Sequence, residues 1–364
     1  MLAFNHCHYV PALKWKRGEA RAIRDVNLAG PISITPLAEI VPQPWDWDLD
    51  EPTRAIEAHL DNQAQSIAGH WATQRPIIAD TLLLDPALRM ASGDHPVRYL
   101  AYALQAKGIA CIPATGPERD LDHVTACAAV YHEQNTDVCI RLMRDDLADP
   151  QISARLDFLL QSLRATPDRV HLVLDLRDVN ESTLLPFASL AAVFINNIVL
   201  AQSARTLTVL SGAFPENVSG FGRGMNAHPR SDWRMWLAIL RSTPVRLPAF
   251  GDYAIAHPEL VEIDPRYVRM SASIRYTAIE QWLVPRGYAI SDARRGGAAQ
   301  YHDLAQQLQV HPHFSGRGFS VGDAFIDDVA NKTIGPGNAE QWRWHPTNHH
   351  LQYVLSQLAS FYGP

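Results

Sequence analysis

Eight short apolar runs, each closing on a polar or charged residue, constrain this chain more than any other feature. The clearest is Val170-His171-Leu172-Val173-Leu174-Asp175-Leu176, which follows the turn signal Thr166-Pro167-Asp168 and leads to Arg177. A run this short and this rich in branched residues reads as a strand buried on both faces. The others are Tyr9–Leu13, Ile32–Ile40, Pro76–Asp80, Ile109–Ala114, Val138–Met143, Thr206–Leu210 and Arg246–Phe250. Pro36 suggests a bulge in the second run, and Arg141 is an unusual residue for the interior of the fifth. Helical apolar spacing falls between the runs at Gly18–Val26, Thr53–Ala72, Val97–Ala106, Leu121–Gln134, Ile152–Ala165, Ser182–Gln202 and Asp232–Arg241. Strand–helix alternation through eight rounds predicts an α/β protein, a parallel (β/α)8 TIM-like barrel, with a doubly wound open sheet as the rival.

One more helix completes such a barrel, and Leu351–Phe361 supplies it, with Leu351, Val354, Leu355 and Leu358 at helical spacing. The expected organisation is a single barrel domain over 1–364, with residues 254–348 as an insertion or lid within it. Insertions of this kind usually stand over the strand C-termini. This one holds the strand-like Ser271–Tyr276, a helix at Tyr301–Leu308 and glycine-marked turns between Gly316 and Gly337.

Composition narrows the function classes. The 364 residues, 47% hydrophobic and 19% charged, suffice for one barrel with insertions. A net charge of -6 argues against a surface that coats nucleic acid generally. Cys7, Cys111, Cys127 and Cys139 form no CxxC pair, and Cys111 and Cys139 fall inside strand runs, which suits a reducing cytoplasm. Met1–Tyr9 lacks the basic start and apolar run of a signal peptide. No segment reaches the roughly 20 apolar residues of a membrane helix, so no membrane association is expected.

In a parallel barrel all strands end at one rim, so their exit residues converge. Here the exits carry Lys14, Lys16, Glu39, Asp80, Arg141, Asp175, Arg177, Asp252 and Tyr253. This mixed ring predicts a polar pocket in which Glu39, Asp80 and Asp175 act as acid/base groups or metal ligands. An oxygen-rich set of this type suits Mg²⁺ or Mn²⁺. Lys14, Lys16, Arg141, Arg223, Asp252, Tyr253, Arg275, Arg343 and His349 are the expected ligand-binding residues. Structural ion pairing at the rim is the competing account of the same residues. Barrels often bind phosphate with the loops after strands seven and eight, which here hold Ser211-Gly212, Gly220-Phe221-Gly222-Arg223-Gly224 and Gly251. Turns alone also ask for glycine.

Other candidates are weaker. His6-Cys7-His8 precedes the first strand and so belongs to the opposite face. His349 and His350 are adjacent and would point about 100° apart on a helix, so capping or rim packing is their expected role. The chain has no GxSxG motif, and no cysteine at a strand exit beside a histidine. The expected function is metal- or acid/base-assisted hydrolysis of a phosphate-bearing or nucleotide-like ligand. The alternatives are a non-catalytic ligand sensor or protein-interaction module, or a scaffold whose top is sealed by its own side chains.

A family likeness sits at the two ends of the chain. It lies in Tyr9–Glu19, Ser271-Ala272-Ser273-Ile274-Arg275-Tyr276-Thr277, His302-Asp303-Leu304, His311-Pro312, Phe319-Ser320-Val321-Gly322-Asp323, Gly335-Pro336-Gly337-Asn338, Trp342-Arg343 and Thr347-Asn348-His349-His350. Together these resemble the phage-T4-type beta protein family. The resemblance implies a place in phage–host conflict, in defence or counter-defence, and carries no reaction with it.

Overall fold

The structure, a computed structural model, describes residues 4–71, 75–261, 264–267 and 269–363. Eight parallel strands close on themselves: β1 (Tyr9–Leu13), β2 (Leu37–Glu39), β3 (Ile77–Asp80), β4 (Cys111–Thr115), β5 (Val138–Met143), β6 (Val170–Asp178), β7 (Thr206–Gly212) and β8 (Ala249–Asp252). The order around the barrel is that of the sequence, and β1 shuts it by pairing with both β2 and β8. The open-sheet alternative is therefore excluded.

Strand alternation divides the apolar residues between two layers. Val10, Ala12, Leu37, Ile78, Ile112, Ala114, Cys139, Val173 and Leu210 fill the barrel interior. Their neighbours Tyr9, Leu13, Ala38, Ile77, Ala79, Ile140, Leu142, Leu172, Leu174 and Phe250 face outward and pack under the helices. Those helices are α1 (Arg17–Arg24), α2 (Ile56–His70), α3 (Pro96–Gln105), α4 (Leu121–Glu133), α5 (Ile152–Leu163), α6 (Leu184–Asn197) and α7 (Ser231–Arg241). Among the described residues no helix is long and apolar enough to cross a membrane.

Several boundaries differ from the sequence expectation. The second strand is only Leu37–Glu39, because Pro36 cannot donate to a ladder; Ile34 keeps a single bridge to Tyr9. The eighth strand lies later, at Ala249–Asp252, directly after Pro248. Val321–Ala330 forms a helix with no counterpart in the sequence reading. The closing helix begins at Ala339, not Leu351, and runs to Tyr362 through Pro346. A reciprocal capping box between Asn338 and Gln341 starts it. The inserted segment thus ends at Asn338 rather than residue 348.

The segment after β8 folds into a cap in which α8 (Gln300–Gln309) packs on α9 (Val321–Ala330), and α9 packs on α10 (Ala339–Tyr362). Residues from the loop after β7 join it: Ala227–Pro229 pairs antiparallel with Gln281–Leu283, which pairs with Tyr276–Thr277. The cap has its own apolar cluster, including Ile274, Leu283, Leu304, Leu308, Phe325, Ile326, Val329 and Trp342. A buried polar chain through α10 fastens cap to barrel. Asp252 at the end of β8 takes hydrogen bonds from the Tyr9 hydroxyl (2.6 Å) and His350 Nε2 (2.8 Å). His350 Nδ1 meets the Thr277 hydroxyl at 2.7 Å, and His349 bridges the Thr277 carbonyl (2.9 Å) to Asp323 on α9 (2.8 Å).

Candidate functional site

The alternation that builds the barrel interior also carries Lys14, Glu39, Asp80, Arg141 and Asp175 inward, since each shares parity with an interior apolar residue of its strand or strand end. They meet around one guanidinium. Arg141 donates through Nη1 to Asp80 (2.7 Å), through Nη2 to Glu39 (2.8 Å) and the Tyr253 hydroxyl (2.7 Å), and through Nε and Nη2 to Asp175 (3.0 and 2.6 Å). Glu39, Asp80 and Asp175 are 0% exposed and Arg141 is 2% exposed. Arg119 adds a second cation on Asp80 at 2.8 Å, Arg177 lies 3.7 Å from Asp175, and Lys14 lies 3.9 Å from Glu39. The ring is therefore a mutually neutralised ion cluster.

The acids also hold the backbone where the strands end. Asp80, Asp175 and Asp252 each accept the backbone N–H two residues on, from Leu82 (2.8 Å), Arg177 (2.9 Å) and Ala254 (2.9 Å). Arg177 and Ala254 sit at φ of 56° and 50°, a conformation that such side-chain bonds help to fix. Burial raises the Asp80 pKa, but the charges of Arg119 and Arg141 outweigh it and hold the carboxyl at about 2. Burial pushes the Lys14 amine down, with Glu39 opposing, and the amine donates to the carbonyls of His257 (2.6 Å) and Pro258 (2.9 Å).

For Mg²⁺ or Mn²⁺ the donor set does not fit, because Arg141 already stands where a cation would bridge the three carboxylates. No group of three or more His, Cys, Asp or Glu side chains could hold a metal ion among the described residues. One acceptor in the ring is left over: Glu39 Oε2 is buried and has no hydrogen-bond partner, as are the hydroxyls of Thr81 and Thr115.

An open cavity of about 590 Å³ lies elsewhere on the same side of the barrel, where the β7 and β8 exits meet the cap. Glu216–Ser219 and Ile255 form its barrel wall; Arg269, Ser271, Ser273, Arg275, Arg286 and Tyr301 form its cap wall; Ala339, Trp342 and Arg343 come from the first turn of α10. Among the described residues the lining thus holds four arginines and one carboxylate, Glu216. Arg275 is held by the Ile255 carbonyl at 2.6 Å and lies 4.3 Å over the Phe214 ring. Arg286 is held by the Phe221 carbonyl and by Ser271 Oγ at 3.3 Å. Arg343 Nη1 is buried without a partner. Among the described residues none of these three arginines forms an ion pair with a carboxylate. Burial first, and the Arg343 charge second, push the Arg275 pKa down to about 9. It stays cationic at neutral pH, and the positive end of the α10 dipole adds to the field. The stem of Arg343 packs against Gly18 of α1, where an added Cβ would lie 2.8 Å from Arg343 Cγ.

Of the residues singled out from the sequence, Lys14, Glu39, Asp80, Arg141, Asp175 and Tyr253 come together in the buried ring, and Arg275 and Arg343 in the cavity. The rest lie apart. Lys16 is exposed at the start of α1. Asp252 has outward parity and belongs to the α10 chain. His349 and His350 stand in the middle of a buried helix, not at its start, because the helix begins earlier than expected. Arg223 donates to the Gly287 carbonyl and stacks 4.8 Å over Tyr288, clasping the cap's own strands. The glycine loop around it is organised by Asn226, whose side chain bonds Gly222 and Gly224. Gly251 answers a packing need: a Cβ there would lie 2.8 Å from the Val10 carbonyl oxygen. Sequence reasoning missed Arg286, Ser271, Ser273 and Glu216. Their one signal was the density of arginines around residues 271–276, which the structure divides into two short strands, Ser271–Ser273 and Tyr276–Thr277.

No curated protein matches this chain. Among solved structures it is similar to triosephosphate isomerase from Bartonella henselae, with 12% identity and a TM-score of 0.35, covering 68% of this chain and 92% of that one. The model of the Beta protein family matches residues 9–356. That span takes in every barrel strand, the cap and most of α10, so the chain belongs to the Beta protein family.

Proposed function

We propose that this protein is a ligand-binding barrel whose working site is the arginine-lined cavity under the cap, and that its ligand is a phosphate-bearing small molecule. The observation that carries this is the pair Arg275 and Arg343 in one cavity, neither in a salt bridge among the described residues, with the buried Glu19 carboxylate acting on Arg275 only from beyond salt-bridge distance. Placing like charges together costs stability unless a ligand compensates them. A volume of about 590 Å³ is within the range of small-molecule sites. Binding without turnover is the favoured mode, because the carboxylates that would supply acid/base chemistry are neutralised around Arg141. The family resemblance suggests a setting for such a sensor in phage defence or counter-defence, with the cap as the reporting element.

Glu39 supports a second reading. Its Oε2, 3.9 Å from the Lys14 amine, is the one ring carboxylate oxygen among the described residues with no hydrogen bond, so an enzyme reading keeps Glu39 as the base, with Asp80 and Asp175 orienting Arg141 on a substrate. Isothermal titration calorimetry with inorganic pyrophosphate separates the two. Loss of binding in Arg275→Gln with retention in Glu39→Gln is expected from the cavity reading; the reverse pattern would transfer the site to the ring.

A further inference from the structure

The cavity's charge and its fixed geometry say more about the ligand, on the footing that it is an anion site as proposed above. Among the described residues of the lining, Arg269, Arg275, Arg286 and Arg343 against Glu216 leave an excess of three positive charges. A single phosphate monoester carries about -1.5 to -2 at neutral pH and would leave cations uncompensated. The guanidinium groups are also fixed on separate supports, so a single phosphate cannot engage all of them equally. Arg275 is anchored on the barrel side by the Ile255 carbonyl and the Phe214 ring, Arg286 on the cap by the Phe221 carbonyl and Ser271, and Arg343 by the packing of α10 against Gly18.

The aromatic lining points the same way. Tyr301 and Trp342 stack on each other with centroids 4.5 Å apart and planes 13° apart, and Arg275 covers Phe214. These contacts take one face of each ring, and with Tyr301 5%, Trp342 8% and Phe214 1% exposed none offers an open platform for base stacking. Recognition rests on charge and on hydroxyl donors such as Ser271 and Ser273. We infer that the ligand is a compact small molecule bearing two or more phosphate groups, held by its phosphates and not by an aromatic base.

The test is calorimetric titration of the full-length protein, at constant ionic strength, with inorganic phosphate, pyrophosphate, tripolyphosphate and adenosine diphosphate. Each added charge-assisted pairing is expected to tighten binding, so pyrophosphate should bind about ten-fold or more tighter than phosphate. Adenosine diphosphate should gain less than about three-fold over pyrophosphate, since stacking of a base would otherwise show as about ten-fold or more. Arg343→Gln should remove most of the preference for pyrophosphate over phosphate; Arg286→Gln serves if the first variant does not fold. Equal affinity for phosphate and pyrophosphate would overturn the inference and leave the anion site standing. A strong gain from adenosine would overturn the exclusion of a base. Failure of every phosphate compound to bind would remove the anion site itself.

Discussion

At the scale of the residue, Arg141 is the side chain on which most depends. It is fully enclosed and is shared by three carboxylates and a tyrosine hydroxyl. Removing one partner of a buried ion pair typically costs about 3–5 kcal/mol, because the charge left behind stays buried. Arg141→Met takes the shared cation from three buried carboxylates and leaves them only Arg119, Arg177 and Lys14, so urea denaturation should show a loss of about 3–5 kcal/mol or more. Arg343→Gln should act the other way. Removing a cation beside Arg275 relieves repulsion, so the melting temperature should hold or rise while anion affinity falls; a clear drop in melting temperature would show that Arg343 is mainly structural. These residues were unequally legible. Glu39, Asp80, Arg141 and Asp175 share parity with apolar neighbours in their own strands, so their convergence could be read from alternation alone. Asp252 stands at a strand exit as expected, but it shares the outward parity of Phe250 and bonds His350 on α10 instead of joining the ring.

At the scale of the element, α10 does what the sequence concealed. Pro346 reads as a helix stop, and the buried polar stretch Thr347–His350 hides the apolar spacing, yet the helix passes through both. Asn348 explains part of this, accepting from Gly322 N at 3.0 Å and donating to the Ala22 carbonyl at 3.1 Å. The close approach of α9 has a single sequence cause, Gly322, where a Cβ would lie 2.1 Å from the His345 carbonyl oxygen. Gly322→Ala must therefore push α9 off α10 at a cost of about 1–3 kcal/mol or more, visible as faster proteolysis of the cap ahead of the barrel. Equal protease resistance would mean that the helices do not meet as described. The cap was otherwise opaque for a topological reason: Ala227–Pro229 pairs with Gln281–Leu283 across a long stretch of chain, and no local pattern announces such a pairing. The helix at Val321–Ala330 did carry a start signal, Ser320 with Asp323, whose backbone N–H the serine side chain accepts.

At the scale of the whole molecule, the barrel was legible because runs apolar on both faces have few other uses, and the cavity was not, because it belongs to neither barrel nor cap alone. The buried histidines set an acid limit on the assembly. Burial holds His8 at about 3 and His95 and His345 at about 4, so they stay neutral in the fold while the unfolded chain takes up protons below about 6.5. Stability should therefore be lost as pH falls from about 6.5 toward 4. Asp232 and Asp146 oppose this, since burial raises both carboxyls and favours the fold as pH falls, but His59, His123, His257 and His350 are also lowered by burial and add to the loss. A melting temperature that climbs between pH 6.5 and 4.5 would contradict the balance. The claim on which the functional account turns is that the protein meets an anion under its cap and not at the ring of acids. Anomalous diffraction from crystals soaked in tungstate locates that anion directly: the predicted peak lies within hydrogen-bonding reach of Arg275 and Arg343, whereas a peak beside Arg141, or none in the cavity at saturating tungstate, would contradict it.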